Sequence, residues 1–203
     1  MACPRFRSSL AEGDMPAWDD GRVQITRLIT SEDASALDEL LCVNREFLAP
    51  WDPIRSEDYF TAHGQHAVIE ADLQQHEQGS KLPHVILDDS GRVIGRITLN
   101  GIVRGPFQSC AMGYWVSASH NGRGFAKKAV REIVRVAFEE LGLHRVQAET
   151  LLHNVRSQRV LERNGFVRFG MAPEYLNIAG RWQDHAMYQV VNPSWQPAER
   201  HRP

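Results

Sequence analysis

Alternating hydrophobic and polar positions predict a series of β-strands along the chain. The first, VQITRLIT (Val23 to Thr30), alternates with a period of two. Further on, LPHVILDDSGRVIGRITLNGIV predicts two strands joined by a turn at Asp89-Ser90-Gly91, and SCAMGYWVS predicts a third strand beside them. Later segments with strand composition are HRVQAETLL, FVRFGMAPEYL and WQDHAMYQVV. The pattern therefore predicts about seven strands.

Apolar residues at helical spacing predict four helices between these strands. The longest predicted helix extends from Gly122 to Leu141, is ended by Gly142, and has apolar positions at Ala126, Ala129, Val130, Ile133, Ala137 and Leu141. Ser31 is the predicted N-cap of an earlier helix, whose apolar positions are Ala34, Leu37, Leu40 and Leu41. The other two helices are predicted at about Ala67 to Gln78 and Val155 to Asn164.

The order of these elements indicates the fold class. A β-α opening is followed by an antiparallel meander, whose third strand begins the order β-α-β-α-β-β, and this order predicts an α/β (α+β) fold. The chain has 203 residues, of which 42% are hydrophobic and 24% charged, and this composition suits one globular domain. We place the domain at residues 22–195, with a flexible leader at 1–21 and a flexible tail at 196–203.

The net charge and the spacing of the cysteines argue against several kinds of binding partner. A formal net charge of -2 argues against the large positive surface that nonspecific binding to DNA or RNA needs, so we expect no direct nucleic-acid partner. The three cysteines form no CxxC pair and have no histidines at zinc-ligand spacing, so we expect no metal. No run approaches the roughly 20 apolar residues of a membrane span. These features favour a cytoplasmic protein with no membrane partner.

A glycine-containing junction opens the long predicted helix. The segment Asn121-Gly122-Arg123-Gly124-Phe125-Ala126 follows a strand directly. Its two glycines let a ligand approach the backbone, and the helix N-terminus adds several N–H donors and a positive partial charge. Such a turn suits a pyrophosphate, although a purely structural tight turn is an equal alternative from these residues alone. The junction lacks the GK[ST] of a triphosphate loop and the third glycine of a dinucleotide fingerprint.

A second motif stands downstream at Asn154 to Ser157, followed by Leu161-Glu162-Arg163-Asn164-Gly165-Phe166. Taken together, the two segments resemble the [Q/R]xxGx[G/A] and NxxSxxxxxxxGF signatures of the GNAT acetyltransferases. The resemblance implies a GNAT fold: a central mixed, mostly antiparallel sheet of about seven strands flanked by helices and splayed between the fourth and fifth strands. It also implies acetyl-CoA as cosubstrate.

The same resemblance implies which residues bind acetyl-CoA. The backbone near Val116 would pair with the pantetheine arm and polarise the thioester carbonyl. Asn154 would contact the pantetheine, while from the residues alone it is also a candidate helix N-cap, and both roles can coexist. The pyrophosphate would be held by the backbone of Gly122, Arg123, Gly124, Phe125 and Ala126, preceded by Asn121 where the family has Gln or Arg.

Longer stretches resemble the RimJ/RimL enzymes, which acetylate the amino termini of ribosomal proteins. They are REFLAPWDPIR, NGIVRGPFQSCAMGYWV, HNVRSQRVLERNGF and EYLNIAGRWQDHAMY. By this likeness Ser157 would protonate the CoA thiolate. Glu174 would act as general base, directly or through water, unless it is only a surface carboxylate or a partner for the incoming ammonium.

The acceptor implied by this likeness is the amino terminus of a protein, possibly a ribosomal protein, bound by a monomer or homodimer. Trp51 is a candidate aromatic wall of the acceptor groove, or else a core residue, and Tyr175 is a second candidate contact. Cys110 is predicted to be a packed core residue, because direct transfer needs no covalent intermediate. Two alternatives remain open at this point: an acetyltransferase for a small amine or antibiotic, and a noncatalytic acetyl-CoA-binding sensor or ribosome-assembly protein.

Overall fold

The computed structural model describes residues 24–196, so the predicted leader and almost all of the predicted tail lie outside the described residues. Within this range the strands are β1 (Thr26–Leu28), β2 (Leu82–Leu87), β3 (Val93–Val103), β4 (Ser109–Val116), β5 (Arg145–Leu151), β6 (Val167–Ile178) and β7 (Arg181–Val191). The α-helices are α1 (Ala34–Leu48), α2 (Ala62–Glu77), α3 (Phe125–Arg135) and α4 (Val155–Glu162).

All seven strands belong to one mixed sheet in the order β1-β2-β3-β4-β5-β7-β6. Every neighbouring pair is antiparallel except β4 and β5, which are parallel. That parallel pair is short, because only Ser109–Ala111 of β4 lies in register with Arg145–Gln147 of β5. Beyond these residues β4 and β5 separate, and a gap opens between them. Among the described residues, no strand pairs with the edges of β4 and β5 that face this gap. The predicted GNAT fold, with a sheet splayed between the fourth and fifth strands, is confirmed.

Two hydrophobic clusters cover the sheet. The larger one packs α3 against β4, β5 and β7, and it includes Met112, Val116, Ile133, Ala148 and Tyr188. The smaller one packs α1 and α2 against the other face of the β1–β4 half, and it includes Leu37, Ile69 and Val85, with Trp115 beside them. Since side chains alternate along a strand, the residues next to Ala148 on β5 face away from α3.

Charged groups tie α2 to the same half of the sheet. Asp72 on α2 bonds Lys81 and Arg96, both at 2.5 Å, and Asp72 and Arg96 are buried. Because a buried carboxylate without partners would be costly, the two cations keep this contact satisfied. A second tie joins α3 to the first strand, where the carboxylate of Glu132 accepts from the backbone and hydroxyl of Thr26.

Several predicted boundaries were wrong by a few residues. Ser31 is not an N-cap but the first residue of a 3₁₀ turn that precedes α1, and Thr30 holds the cap position. Helix α2 begins at Ala62 rather than Ala67, because the hydroxyl of Thr61 accepts from the N–H of Gly64. The long helix begins at Phe125 rather than Gly122, and its end from Val136 to Glu140 is π-helical.

Candidate active site

Both sequence motifs lie at the open end of the splayed sheet. Strand β4 leads into the glycine loop and the N-terminus of α3, and β5 leads into Asn154 and the N-terminus of α4. Because the two strands are parallel, their C-terminal ends and the two helix N-termini lie at the same edge of the sheet. Two positive helix ends and two unpaired strand edges therefore border one cleft.

The glycine loop has a backbone that only glycine adopts readily. Gly122 has a φ of 75° and Gly124, the N-cap of α3, has a φ of 86°. A Cβ built at either position would meet nothing within 4 Å, so the space above the loop is open. The first N–H groups of α3 have no partner within the helix and face this end. The residues present therefore fit a bound pyrophosphate, as the resemblance implied.

Two side chains of this loop contact the fold. Phe125 is buried in the larger cluster, so it can offer only its backbone to a ligand, whereas the guanidinium of Arg123 is exposed and lies 5.4 Å from the centre of the Phe125 ring. The amide nitrogen of Asn121 donates to the carbonyl of Ser117 at 3.3 Å. Asn121 therefore closes the turn, and Ala126 follows it in the first turn of α3.

Asn44 on α1 anchors the start of the glycine loop, a role that the sequence analysis missed. Its Oδ1 accepts from the N–H of Ala118 at 2.8 Å and from the hydroxyl of Ser117 at 3.3 Å, and the residue is buried. Buried side-chain amides are rarely left without partners, so this contact holds the loop to α1.

The backbone N–H and C=O groups of Val116 face the gap between β4 and β5. The next residue, Ser117, donates its N–H to the carbonyl of Ile94 on β3 at 2.8 Å. Since backbone groups alternate in direction along a strand, the N–H and C=O of Val116 point away from β3 and toward the unpaired side. This orientation suits the predicted pairing with a pantetheine arm.

Helix α4 places Ser157 in the cleft. Asn154 is its N-cap, because Oδ1 of Asn154 accepts from the N–H of Ser157 at 3.1 Å, so the capping interpretation is confirmed. The hydroxyl of Ser157 lies 2.9 Å from the phenol oxygen of Tyr114 on β4. Burial raises the pKa of Tyr114 to about 12, so its hydroxyl stays protonated. The sequence analysis missed Tyr114.

The segment after α1 meets the β6–β7 hairpin on the other side of the cleft. The ring of Trp51 lies 5.4 Å from that of His153, just before α4. The N–H of Ala179 at the hairpin tip donates to the carbonyl of Asp52 at 3.0 Å. An open pocket of about 310 Å³ lies beside these contacts and is lined by Leu152, His153, Arg181, Trp182, Gln183 and Asp184. Trp51 itself is partly buried and belongs to neither of the two core clusters.

Glu174 and Tyr175 lie on β6, where the strand bulges opposite β7. Glu174 is exposed, has a φ of 45°, and donates its N–H to the carboxylate of Asp184 at 2.9 Å. The ring of Tyr175 lies 5.6 Å from that of His185, a buried residue of β7. No hydrogen bond links Glu174 to Ser157 in the described part of the chain. The structure therefore places the two predicted catalytic residues on different elements without direct contact.

Glu149 on β5 is a half-buried carboxylate that the sequence analysis did not select. It lies beyond the last residue of β5 that pairs with β4, and alternation with the buried Ala148 turns it toward the face opposite α3. Burial raises its pKa, and burial together with the charge of Glu149 raises the pKa of Tyr175. The open face of β5–β7 thus carries a carboxylate that favours protonation more than an ordinary glutamate.

Cys110 has the surroundings of a core residue rather than of a reactive thiol. Cys110 is buried in the larger cluster, and burial raises the pKa of its thiol to about 12. The thiol is therefore protonated and unreactive, as its predicted core role requires. Among residues 24–196, no group of three or more His, Cys, Asp or Glu side chains could hold a metal ion, and no helix is long and apolar enough to cross a bilayer.

The family follows from this geometry and from comparison with known proteins. Residues 22–167 match the family described as an acetyltransferase (GNAT) domain. The chain belongs to the GNAT family of acetyltransferases. The [ribosomal protein uS5]-alanine N-acetyltransferase of Escherichia coli (strain K12) is 33% identical over 174 residues, which cover 85% of this chain and 90% of that protein.

Two solved structures have the same fold over most of their length. The ribosomal-protein-S5-alanine acetyltransferase from Vibrio fischeri matches with a TM-score of 0.81 and 33% identity, covering 85% of this chain and 94% of that one. Mycobacterium smegmatis RimJ in complex with CoA-disulfide matches with a TM-score of 0.80 and 26% identity, covering 85% of this chain and 84% of that one. The protein is an acetyl-CoA-dependent N-acetyltransferase, and its predicted likeness to RimJ/RimL enzymes is confirmed.

Proposed function

We propose that the enzyme acetylates the α-amino group of a protein, with Ala or Ser as its first residue, in the cytoplasm. The observation that carries the proposal is the open groove lined by Leu152, His153 and residues 181–184 of β7, beside which the Trp51 segment contacts His153 and the hairpin tip. A chain end can lie along such a groove, whereas small ligands are usually enclosed by the pockets that bind them. Two relatives, the alanine acetyltransferases of ribosomal protein uS5 from Escherichia coli and of ribosomal protein S5 from Vibrio fischeri, support the same acceptor class.

Protonation also favours an α-amine over a lysine side chain. An α-amino group has an ordinary pKa of about 7.7 to 8.0, and lysine has about 10.4. Near neutral pH roughly 10 to 20% of the α-amine is already neutral and nucleophilic, against well under 0.1% of lysine. Deprotonating lysine would demand roughly 3 kcal/mol more from the enzyme. A site whose proposed base is an exposed carboxylate therefore suits the α-amine.

The proposed reaction is direct transfer in a ternary complex. Glu174 takes one proton from the α-ammonium group, directly or through water, and Tyr175 borders the same site. The neutral nitrogen attacks the thioester carbonyl carbon, whose oxygen is polarised by the backbone near Val116. As the C–N bond forms the C–S bond breaks, and the thiolate receives a proton from the hydroxyl of Ser157. The second proton of the amine replaces the one that Ser157 gave up.

The positive end of α4 assists the leaving group. Ser157 is the third residue of α4, so a thiolate next to it lies near the N–H groups of the first helical turn, which form the positive end of the helix dipole. These groups stabilise negative charge by typically 0.3 to 1 kcal/mol at exposed sites, and more where water is excluded. The same helix therefore positions the proton donor and stabilises the charge that it neutralises.

The test is an acceptor panel with labelled acetyl-CoA. The panel contains a peptide with a free Ala terminus, one with a free Ser terminus, the Ala peptide with a blocked terminus and an internal lysine, and a small polyamine. We expect label on the first two peptides, with mass spectrometry placing it on the terminal nitrogen. Label mainly on lysine or on the polyamine would contradict the proposed acceptor but not the enzyme class. Acetyl-CoA binding without any turnover would support a sensor instead.

A further inference from the structure

Tyr114 on β4 contacts Ser157, the proposed proton donor, across the gap between β4 and β5. The phenol oxygen of Tyr114 lies 2.9 Å from Oγ of Ser157 and 3.3 Å from the carbonyl oxygen of the same residue. The two residues are 43 positions apart in the chain and belong to the two elements that border the gap. This contact is a direct polar link between β4 and α4 at the point where the sheet opens.

Proton counting shows what the contact does to Ser157. The phenol has one proton and two acceptors within reach, and the shorter contact goes to the serine hydroxyl. When Tyr114 donates to Oγ, the hydrogen of Ser157 cannot point back at the phenol. Ser157 is only half-buried, and its backbone N–H is already held by Asn154. The serine hydrogen is then free to point into the cleft.

A serine hydroxyl alone is a weak acid for this step. An unperturbed thiol has a pKa of about 8.5, and a simple hydroxyl, like water, has a far higher pKa. Proton transfer from serine to the CoA thiolate is therefore uphill unless the developing negative charge on Oγ is stabilised. A hydrogen bond from a neighbouring hydroxyl to a charged oxygen is short and about twice as strong as a neutral one.

We propose that Tyr114 is a positioning residue for the general acid: its hydroxyl holds Oγ of Ser157 in the orientation that donates to the leaving thiolate and stabilises Oγ while the proton is away. The inference rests on the proposed role of Ser157. In each turnover the C–S bond breaks, the proton of Ser157 moves to sulfur, and a proton from the acetylated nitrogen restores the serine. Tyr114 keeps its own proton throughout.

The experiment combines Tyr114→Phe, Ser157→Ala and the double variant. We expect Ser157→Ala to lower kcat by about a hundredfold and Tyr114→Phe by about tenfold, because the phenylalanine leaves the serine in place but unsupported. The double variant should be no slower than Ser157→Ala alone, since Tyr114 acts only through the serine. The Kd of acetyl-CoA and the KM of the acceptor should change by less than about threefold.

Tyr188→Phe is the matched control. It also removes a single tyrosine hydroxyl bonded to α4, here to the carboxylate of Glu162 at 3.3 Å, but far along the helix from Ser157. We expect its kcat to stay within about twofold of the wild type, with a thermal midpoint similar to that of Tyr114→Phe. Equal kcat losses in the two phenylalanine variants would show a general effect on α4 and would overturn the inference.

A second measurement, the rate of acetyl-CoA hydrolysis, tests this inference independently of the proposal about the acceptor. The slow hydrolysis of acetyl-CoA without peptide also expels the thiolate, with water supplying the attacking oxygen, so Tyr114→Phe should slow hydrolysis by a similar factor. If no peptide is acetylated but hydrolysis falls in this pattern, the acceptor proposal fails and the role of Tyr114 stands. Unchanged hydrolysis and unchanged peptide turnover in Tyr114→Phe, or independent losses in the double variant, would overturn it.

Discussion

The two halves of the sheet differ in how they are covered. Strands β1–β4 have α3 on one face and α1 with α2 on the other, so Val85 and Ile97 are fully buried. Strands β5–β7 are packed against α3 and α4 on one face only. Their other face and the long edge strand β6 expose Phe169, Met171 and Tyr175. The closed half supplies stability and holds the glycine loop, and the open half leaves room for an acceptor.

The two halves of the sheet also differ in how their polar side chains are bonded. In the closed half Asp72 and Asp88 have cationic partners, and Asn44 has both its amide groups bonded. In the open half Glu149 is half-buried with a raised pKa, and Glu174 is exposed on a bulge. Ion pairs and bonded amides stabilise the closed half, whereas carboxylates outside such ion pairs are available to a substrate. The contrast predicts where substitutions will change stability and where they will change turnover.

The largest expected stability effect belongs to a histidine of the closed half. Burial is the main cause that lowers the pKa of His84 to about 4, with the nearby charges of His76 and Arg27 adding to it. In the unfolded chain its pKa is about 6.5, so between pH 6.5 and 4 only the unfolded state takes up the proton. This contribution is constant above pH 6.5, and acidification through that window should remove up to about 3 kcal/mol.

The measurement is urea unfolding of the wild type and of His84→Gln at several pH values from 7.5 to 4. Glutamine can still bond Thr26, which lies 3.2 Å from the histidine ring, but it does not titrate. As the pH is lowered, the free energy of unfolding should fall less steeply in the variant than in the wild type. The two slopes should differ by about the uptake of one proton on unfolding. Parallel curves would show that His84 does not carry the acid sensitivity of the closed half.

A matched pair of valine substitutions tests the contrast in packing. Val85 on β2 is 0% exposed and Val167 on β6 is 66% exposed. Val85→Ala should lower the free energy of unfolding by about 2.5 kcal/mol, because it removes two buried methyl groups and leaves a cavity. Val167→Ala should cost less than about 0.5 kcal/mol. Comparable losses in chemical denaturation would mean that β6 is covered in solution, for example by a second copy of the chain.

Cofactor affinity should depend on the conformation of one glycine. Gly124→Ala places a Cβ in the open space at the start of α3 and disfavours the φ of 86°, so we expect acetyl-CoA to bind about 30-fold more weakly by calorimetry. Gly105→Ala is the control, because Gly105 has a φ of 69° with nothing within 4 Å of a built Cβ and lies in the β3–β4 turn. Equal affinities in both variants would refute the pyrophosphate assignment.

The smallest effect is expected at the rim of the open half. Glu174→Gln should lower turnover several-fold at pH 7 and less at pH 9, because the α-amine loses its proton to solvent above its pKa of about 8. The pH–rate profile should therefore move to higher pH. Glu39→Gln on α1, where the glutamate is also exposed, should leave the profile unchanged. A Glu174→Gln profile that overlays the wild type would assign the base role elsewhere on the open face, with Glu149 as the next carboxylate to substitute.

Local signals in the sequence were enough for much of the fold and part of the site. Alternation, strand composition and helical spacing predicted the seven strands and four α-helices found in residues 24–196, because many of these elements bury one side of their own residues. Glycines at a helix start and an asparagine at a cap position have local causes, so Gly124 and Asn154 could also be placed. The start of α2 was missed, because it depends on the single cap contact from Thr61 to Gly64.

The sequence by itself thus determined the elements, the two motif loops and the family to which they belong. Only the tertiary structure decided which residues meet in the cleft. Tyr114 and Ser157 are 43 residues apart, and Asn44 and Ala118 are 74 apart. Such contacts depend on the register of the strands and on the early end of the β4–β5 pairing, which leaves the strand edges free. No local pattern encodes that opening, because it results from the packing of α3, α4 and β7 around the two strands at once.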